Sequence, residues 1–190
     1  TPAGEVLTFA TSATAPSWEA AAGGGKIKQI TYNSDATLYS LTIGSSTADV
    51  AGSIAFSITP TSASNKILIN FTAPQVKHHS AVAGLRIRLY RQIDGGGYSH
   101  VTALSGTPLS NRLGALFGNY DYQGDSNRSA GAFSGTFVDD PGTTDQVDYK
   151  FYYGVGDGAN TVSVNRTQAD TDATYTNRTR THCSLMEIEV

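Results

Sequence analysis

The sequence predicts an all-β protein: an antiparallel β-sandwich or jelly roll, reached through a short extended N-terminal neck. Three observations carry that prediction. Apolar residues recur with a period of two along most of the chain beyond Lys26. Pro, Gly, Asn and Asp punctuate the intervals between these segments. Charged residues make up only 15% of the 190, and Thr, Ser, Gly and Ala fill their place, a palette of strands and turns. No amphipathic helix three turns long stands out.

Residues 1–25 read as a unit of their own. They hold one short apolar run, Val6-Leu7-Thr8-Phe9, then small residues, a lone Trp18 and the triplet Gly23-Gly24-Gly25. That is too little apolar surface to close a core. Identical copies of the segment are its simplest partners, and the Gly triplet is a hinge into a new unit. The head is expected over 26–190.

Within the head, strands are expected near 27–33, 37–44 and 53–58. In 66–71, Ile67, Ile69 and Phe71 share a face; in 85–90, Leu85, Ile87 and Leu89 do. Further strands are expected near 98–104 and 132–138. In 147–153, one face is Val147, Tyr149, Phe151 and Tyr153, and in 161–165 the pair Val162 and Val164 points inward. At the end Met186, Ile188 and Val190 alternate with Glu187 and Glu189. Roughly ten short strands with turns between them make a sandwich or jelly roll. Asp94-Gly95-Gly96-Gly97 and Asp139-Asp140-Pro141-Gly142 supply tight turns, and 154–158 another. The stretch 105–131 reads as one long irregular loop, a length that implies a task or an insertion.

Composition narrows the function. A net charge of −3 lacks the basic excess of a nucleic-acid binder. No stretch is long and apolar enough to span a membrane, and no signal peptide opens the chain, whose first residue, Thr1, points to a fragment. The single cysteine, Cys183, excludes an intrachain disulfide and sits in an apolar run as a small core residue.

Several stretches resemble the C-terminal regions of bacteriophage tail fibres. Gly4-Glu5-Val6-Leu7-Thr8, Ala15-Pro16-Ser17-Trp18 and 20–25 resemble the neck that precedes their heads. Thr59-Pro60-Thr61-Ser62-Ala63-Ser64-Asn65 with Lys66-Ile67-Leu68-Ile69 resembles a turn and strand of the head. Phe137-Val138-Asp139-Asp140-Pro141-Gly142-Thr143-Thr144 with Val147-Asp148-Tyr149-Lys150-Phe151 resembles a late hairpin, and Ser184-Leu185-Met186-Glu187-Ile188 the closing strand. Such heads are similar to the trimeric jelly rolls of the complement C1q and tumour-necrosis-factor class. The resemblance implies a homotrimer on a virion tail fibre, joined to other tail proteins through whatever precedes Thr1.

The residues carry no motif of a serine hydrolase, phosphate loop or zinc protease, so no enzyme is expected. Glu187 and Glu189 share a strand face and read as an exposed or subunit-facing edge rather than an acid/base pair. His78-His79 is a loop pair, or a source of one ligand per chain on a threefold axis. Asp170 and Asp172 with Asp157 form an acidic cluster read as a surface turn before a calcium site. Neither metal nor cofactor is expected. Sequons at Asn70, Asn127, Asn165 and Asn177 read as chance in a Thr- and Ser-rich chain.

Two sets of residues suit a receptor. Tyr120, Asp121, Tyr122 and Asp125 in 118–128 mix aromatic rings with carboxylates and amides, the palette that holds sugars or protein epitopes. Arg86, Arg88 and Arg91, read as one strand face, can grip a sugar acid or phosphate, or else pair across strands with an acid such as Asp148. The expected function is a non-enzymatic adhesin binding a host-surface polysaccharide or protein. The alternatives are a purely structural virion protein (head fibre, capsid decoration or tail connector) and, more remotely, a depolymerase.

Overall fold

A strand buried on one face must lay that face against another sheet, and here two sheets do so around one core. The computed structural model describes residues 5–8, 17–20, 26–79, 82–122, 130–156, 158–174 and 176–190. In chain order the strands are β1 (Glu5–Thr8), β2 (Ser17–Ala20), β3 (Ile27–Asp35), β4 (Tyr39–Ile43), β5 (Asp49–Ala51), β6 (Phe56–Ile58), β7 (Lys66–His78) and β8 (Val82–Ile93). There follow β9 (Ser99–His100), a 3₁₀ turn (Thr102–Leu104), β10 (Phe117–Tyr122), β11 (Gly131–Asp139), β12 (Val147–Val155), β13 (Asn160–Val164) and β14 (Thr181–Ile188). β1 and β2 pair with each other and, among the described residues, with no other strand.

One head sheet runs β3-β14-β7-β13-β4, with β11 on the other side of β7. The second runs β10-β8-β12-β5, with β6 also on β12 and β9 on β8. Every pairing is antiparallel. Counting β5 and β6 as one and lettering the principal strands A to H gives A-H-C-F facing B-G-D-E. That order is a jelly roll, so the fold matches the one expected from periodicity.

The core is built from the faces that alternation picks out. Ile67, Ile69 and Phe71 of β7 meet Leu85, Ile87 and Leu89 of β8 and Val147, Tyr149, Phe151 and Tyr153 of β12. Phe71 stacks on Phe151 across the sandwich with ring centroids 3.6 Å apart. Each fully buried side chain of this kind contributes about 1.5–3 kcal/mol. Cys183 lies in this core, where burial pushes its thiol up to about 12.

β14 reverses the expected face. Cys183, Leu185 and Glu187 point inward, while Met186 and Ile188 lie on the outer side, half-buried. The reason is a ring of donors around Glu187. Its carboxylate accepts from the Thr61 amide (2.6 Å) and hydroxyl (2.8 Å), from Asn65 Nδ2 (2.7 Å) and from Gln29 Nε2 (2.7 Å). Glu187 is therefore a fully buried latch between β14 and the 59–65 turn, not an exposed edge. Glu189 pairs with Lys28 at 2.9 Å.

The same reversal puts apolar side chains in solvent. Register sets Ile30, Met186, Leu68 and Val138 side by side across β3, β14, β7 and β11. Ile30 is 58% and Val138 46% exposed, and Ile27 and Val190 are exposed as well.

Candidate binding cleft

Alternation along β8 sends Leu85, Ile87 and Leu89 inward and Arg86, Arg88 and Tyr90 to the opposite side. Arg91 differs from Arg86 and Arg88 in parity and does not share their face. Its Nη1 reaches Asp139 at 2.7 Å, the carboxylate that also accepts the buried Tyr149 hydroxyl at 2.7 Å.

Arg86 and Arg88 converge on one carboxylate. Asp49 of β5 accepts from Arg86 Nε at 2.8 Å, Arg88 Nη1 at 2.5 Å and the Tyr90 hydroxyl at 3.2 Å. Asp148, the acid expected to pair with them, instead accepts from Gln146. Arg86 Nη1 also donates to the carbonyls of Ser46 and Val155, and Nη2 to that of Ala48. Arg88 Nε donates to the Gly114 carbonyl at 2.6 Å. Both guanidinium groups are thus braces that tie surface segments to the sheet. Room for the Arg86–Asp49 pair depends on Gly154, where a Cβ would come within 2.6 Å of Arg86 Cζ and Nε.

What these braces hold is a cleft. Residues 105–122 are not one irregular loop. After the 3₁₀ turn the chain folds into a finger: Gly106 donates to the Ala115 carbonyl, and Leu109 and Arg112 exchange backbone hydrogen bonds of 3.1 and 2.9 Å. Ser110 turns the tip at φ 55°, in the left-handed region. The chain then enters β10, which pairs with β8. The finger contributes Ser110, Asn111, Arg112 and Leu113 to a cleft of about 670 Å³. The loop before β5 contributes Ser46 and Thr47, and the sheet contributes Gly84, Leu85, Arg86 and Gly156.

The β8–β10 register brings part of the tyrosine set alongside Arg86, the one member of the arginine set that lines the cleft. Tyr120, Asp121 and Tyr122 lie opposite Gly84, Ala83 and Val82, and Gly118 lies opposite Arg86. Gly84 and Arg86 line the cleft, so the tyrosine-bearing strand runs beside it. Asp125 lies outside the described residues. Ser46, Thr47 and Asn111 carry no local sequence signal, because a polar loop residue reads the same whether or not another loop folds against it.

Other polar clusters among the described residues are bonded internally. On the outer face of β8 and β12, Tyr90 stacks on Tyr152 (centroids 3.9 Å apart) and on His100 (5.3 Å), and Lys150 lies over Tyr98. Tyr90 thus has both its neighbours in the stack. His79 Nε2 lies 2.6 Å from Ser163 Oγ, but that serine is fully buried, beyond the reach of substrate. His78 is buried at the end of β7. Asp170 is clasped by Arg166 and Arg178, which hold its carboxyl below the ordinary value; Asp157 lies outside the described residues. Among the described residues, no three His, Cys, Asp or Glu side chains are grouped to hold a metal. Asn165 is fully buried, its side chain bonded to Asp35, Thr37 and Thr181, and cannot accept a glycan.

No known family matches the chain, and no curated protein does. Among solved structures it is similar to one described as the structure of infectious bursal disease virus Gx strain, with 11% identity and a TM-score of 0.32. That match covers 97% of this chain and 47% of the other, so the chain spans about half its length. A likeness this slight bears on neither activity nor partners.

Proposed function

We propose that this chain is the head of a phage tail fibre, a virion adhesin that binds a host-surface polysaccharide. The observation that carries the reading is the cleft. It is concave, lined by hydroxyls, an amide and guanidinium groups, and flanked by a strand bearing Tyr120 and Tyr122. Paired polar groups suit sugar hydroxyls, and aromatic rings suit the apolar faces of pyranoses. Loops on a rigid sandwich are where such recognition concentrates. The tail-fibre resemblance of the neck and the closing strands points the same way.

Purified protein should bind intact bacteria of its host range saturably, and isolated surface polysaccharide should compete. Changing Tyr120 and Tyr122 together to alanine should weaken binding by about 1–3 kcal/mol per ring. A wild-type protein that binds no cell and no polysaccharide would leave the structural reading, a head fibre, capsid decoration or connector.

Assembly is part of the proposal. The outer row Ile30, Met186, Leu68 and Val138, half-buried in the middle and exposed at both ends, is an apolar strip that water penalises, and two further copies of this chain are its proposed cover. Light scattering should return three subunits. Ile30→Glu with Val138→Glu should lower that number while leaving the circular dichroism of the head unchanged, because both side chains already face solvent.

A further inference from the structure

We propose that the cleft selects an anionic saccharide: a sugar whose carboxylate or phosphate oxygens sit against the finger at Arg112. This deepens the adhesin reading and rests on it. Charge and unspent donors both point to an anion. Arg86 and Arg88 carry two positive charges and share the single carboxylate of Asp49, which leaves one positive charge over at the wall of the cleft. Arg112 adds a second, exposed at the finger tip and, among the described residues, without a carboxylate partner. No described residue lining the cleft is acidic.

The donors agree with the charge. Arg86 has five N–H hydrogens. One goes to Asp49, two on Nη1 go to the carbonyls of Ser46 and Val155, and one on Nη2 goes to Ala48. The fifth has no partner among the described residues, on a side chain that lines the cleft and is only 10% exposed. Ser46, Thr47, Ser110 and Asn111 offer neutral hydroxyls and an amide for the rest of the ring. The Arg112 backbone is locked to Leu109 in both directions, which fixes the root of this cation beside the cleft. A neutral sugar would leave this surplus charge unused.

The test uses the intact protein and immobilised bacterial polysaccharides of three kinds: uronate-containing, phosphate-bearing and neutral. Each acidic polymer is also offered after carboxyl reduction or dephosphorylation, which separates the two sources of anionic oxygen. Tight binding is expected to one acidic kind, with a loss of tenfold or more when its charged group is removed. Raising the salt from 50 to 500 mM should weaken it as well. Arg112→Gln should cost about tenfold and Arg112→Glu more, at an unchanged melting temperature, while Arg112→Lys should keep most of the salt dependence. Equal binding of neutral and acidic polymers, or binding indifferent to Arg112→Glu, overturns the anionic assignment and leaves the adhesin standing. Binding to none of the polymers overturns both.

Discussion

Asp49→Ala should destabilise the protein by about 3–5 kcal/mol, the usual cost of stripping one partner from a buried charge network. Asp49 receives Arg86 Nε, Arg88 Nη1 and the Tyr90 hydroxyl, and the side chains of the three charged residues are 10% exposed or less. Its loss leaves two guanidinium groups, two residues apart on one strand, facing each other with no counter-charge. For a chain of this size the melting temperature should fall by roughly 6–20 °C. Asp49→Asn keeps an acceptor oxygen and should fall between the two. Arg88→Leu in the Asp49→Ala background should recover part of the loss, since one unpaired charge is less costly than two. A loss below about 1 kcal/mol in thermal unfolding would show that solvent already screens the network, and the cleft wall would then not depend on it.

Glu187→Gln should cost about 3 kcal/mol, because hydrogen bonds to a charged acceptor are worth about 1.5–3 kcal/mol each and several weaken at once. The amide also turns an N–H group toward donors that need an acceptor. The effect has a pH signature. Burial by itself would raise the Glu187 carboxyl, but Asn65, Gln29 and Thr61 outweigh it and hold the group down to about 2. A carboxyl whose folded value is depressed contributes stability above its unfolded value of about 4.3 and loses it as pH falls toward the folded one. Wild-type protein should therefore lose this contribution between about pH 4.5 and pH 2. Glu187→Gln should be flatter across the same window. Parallel slopes in the two proteins, by denaturant titration at each pH, would remove Glu187 from that role.

The fold was largely legible in the sequence because burial repeats locally. Ile67-x-Ile69-x-Phe71 and Val147-x-Tyr149-x-Phe151-x-Tyr153 each state their inward face within a few residues, and the structure uses those faces. β14 was misread for the opposite reason. Met186 and Ile188 look like the buried set, and only the donors of the 59–65 turn and Gln29, distant in sequence, decide for Glu187. β10 escaped because Gly118, Asn119 and Asp121 are poor strand formers, placed there by pairing with β8. β5 is only three residues long. Its Asp49 gives no local hint that it answers Arg86 and Arg88. The cleft was legible only as a long segment between strands; the finger, and the loop that joins it, are products of tertiary packing.

The place of β14 has a consequence for how the protein is made. It lies between β3 and β7, so it joins the first strand of the head to the middle of its sheet. During translation β3 has no neighbour in that sheet until residues 181–188 emerge, and β7 offers an open edge over the same interval. Nascent heads crowded on one message would expose such edges to one another. A premature stop ahead of Thr181 would remove eight residues of strand yet leave both edges bare for good, and should yield aggregate rather than a slightly shortened head.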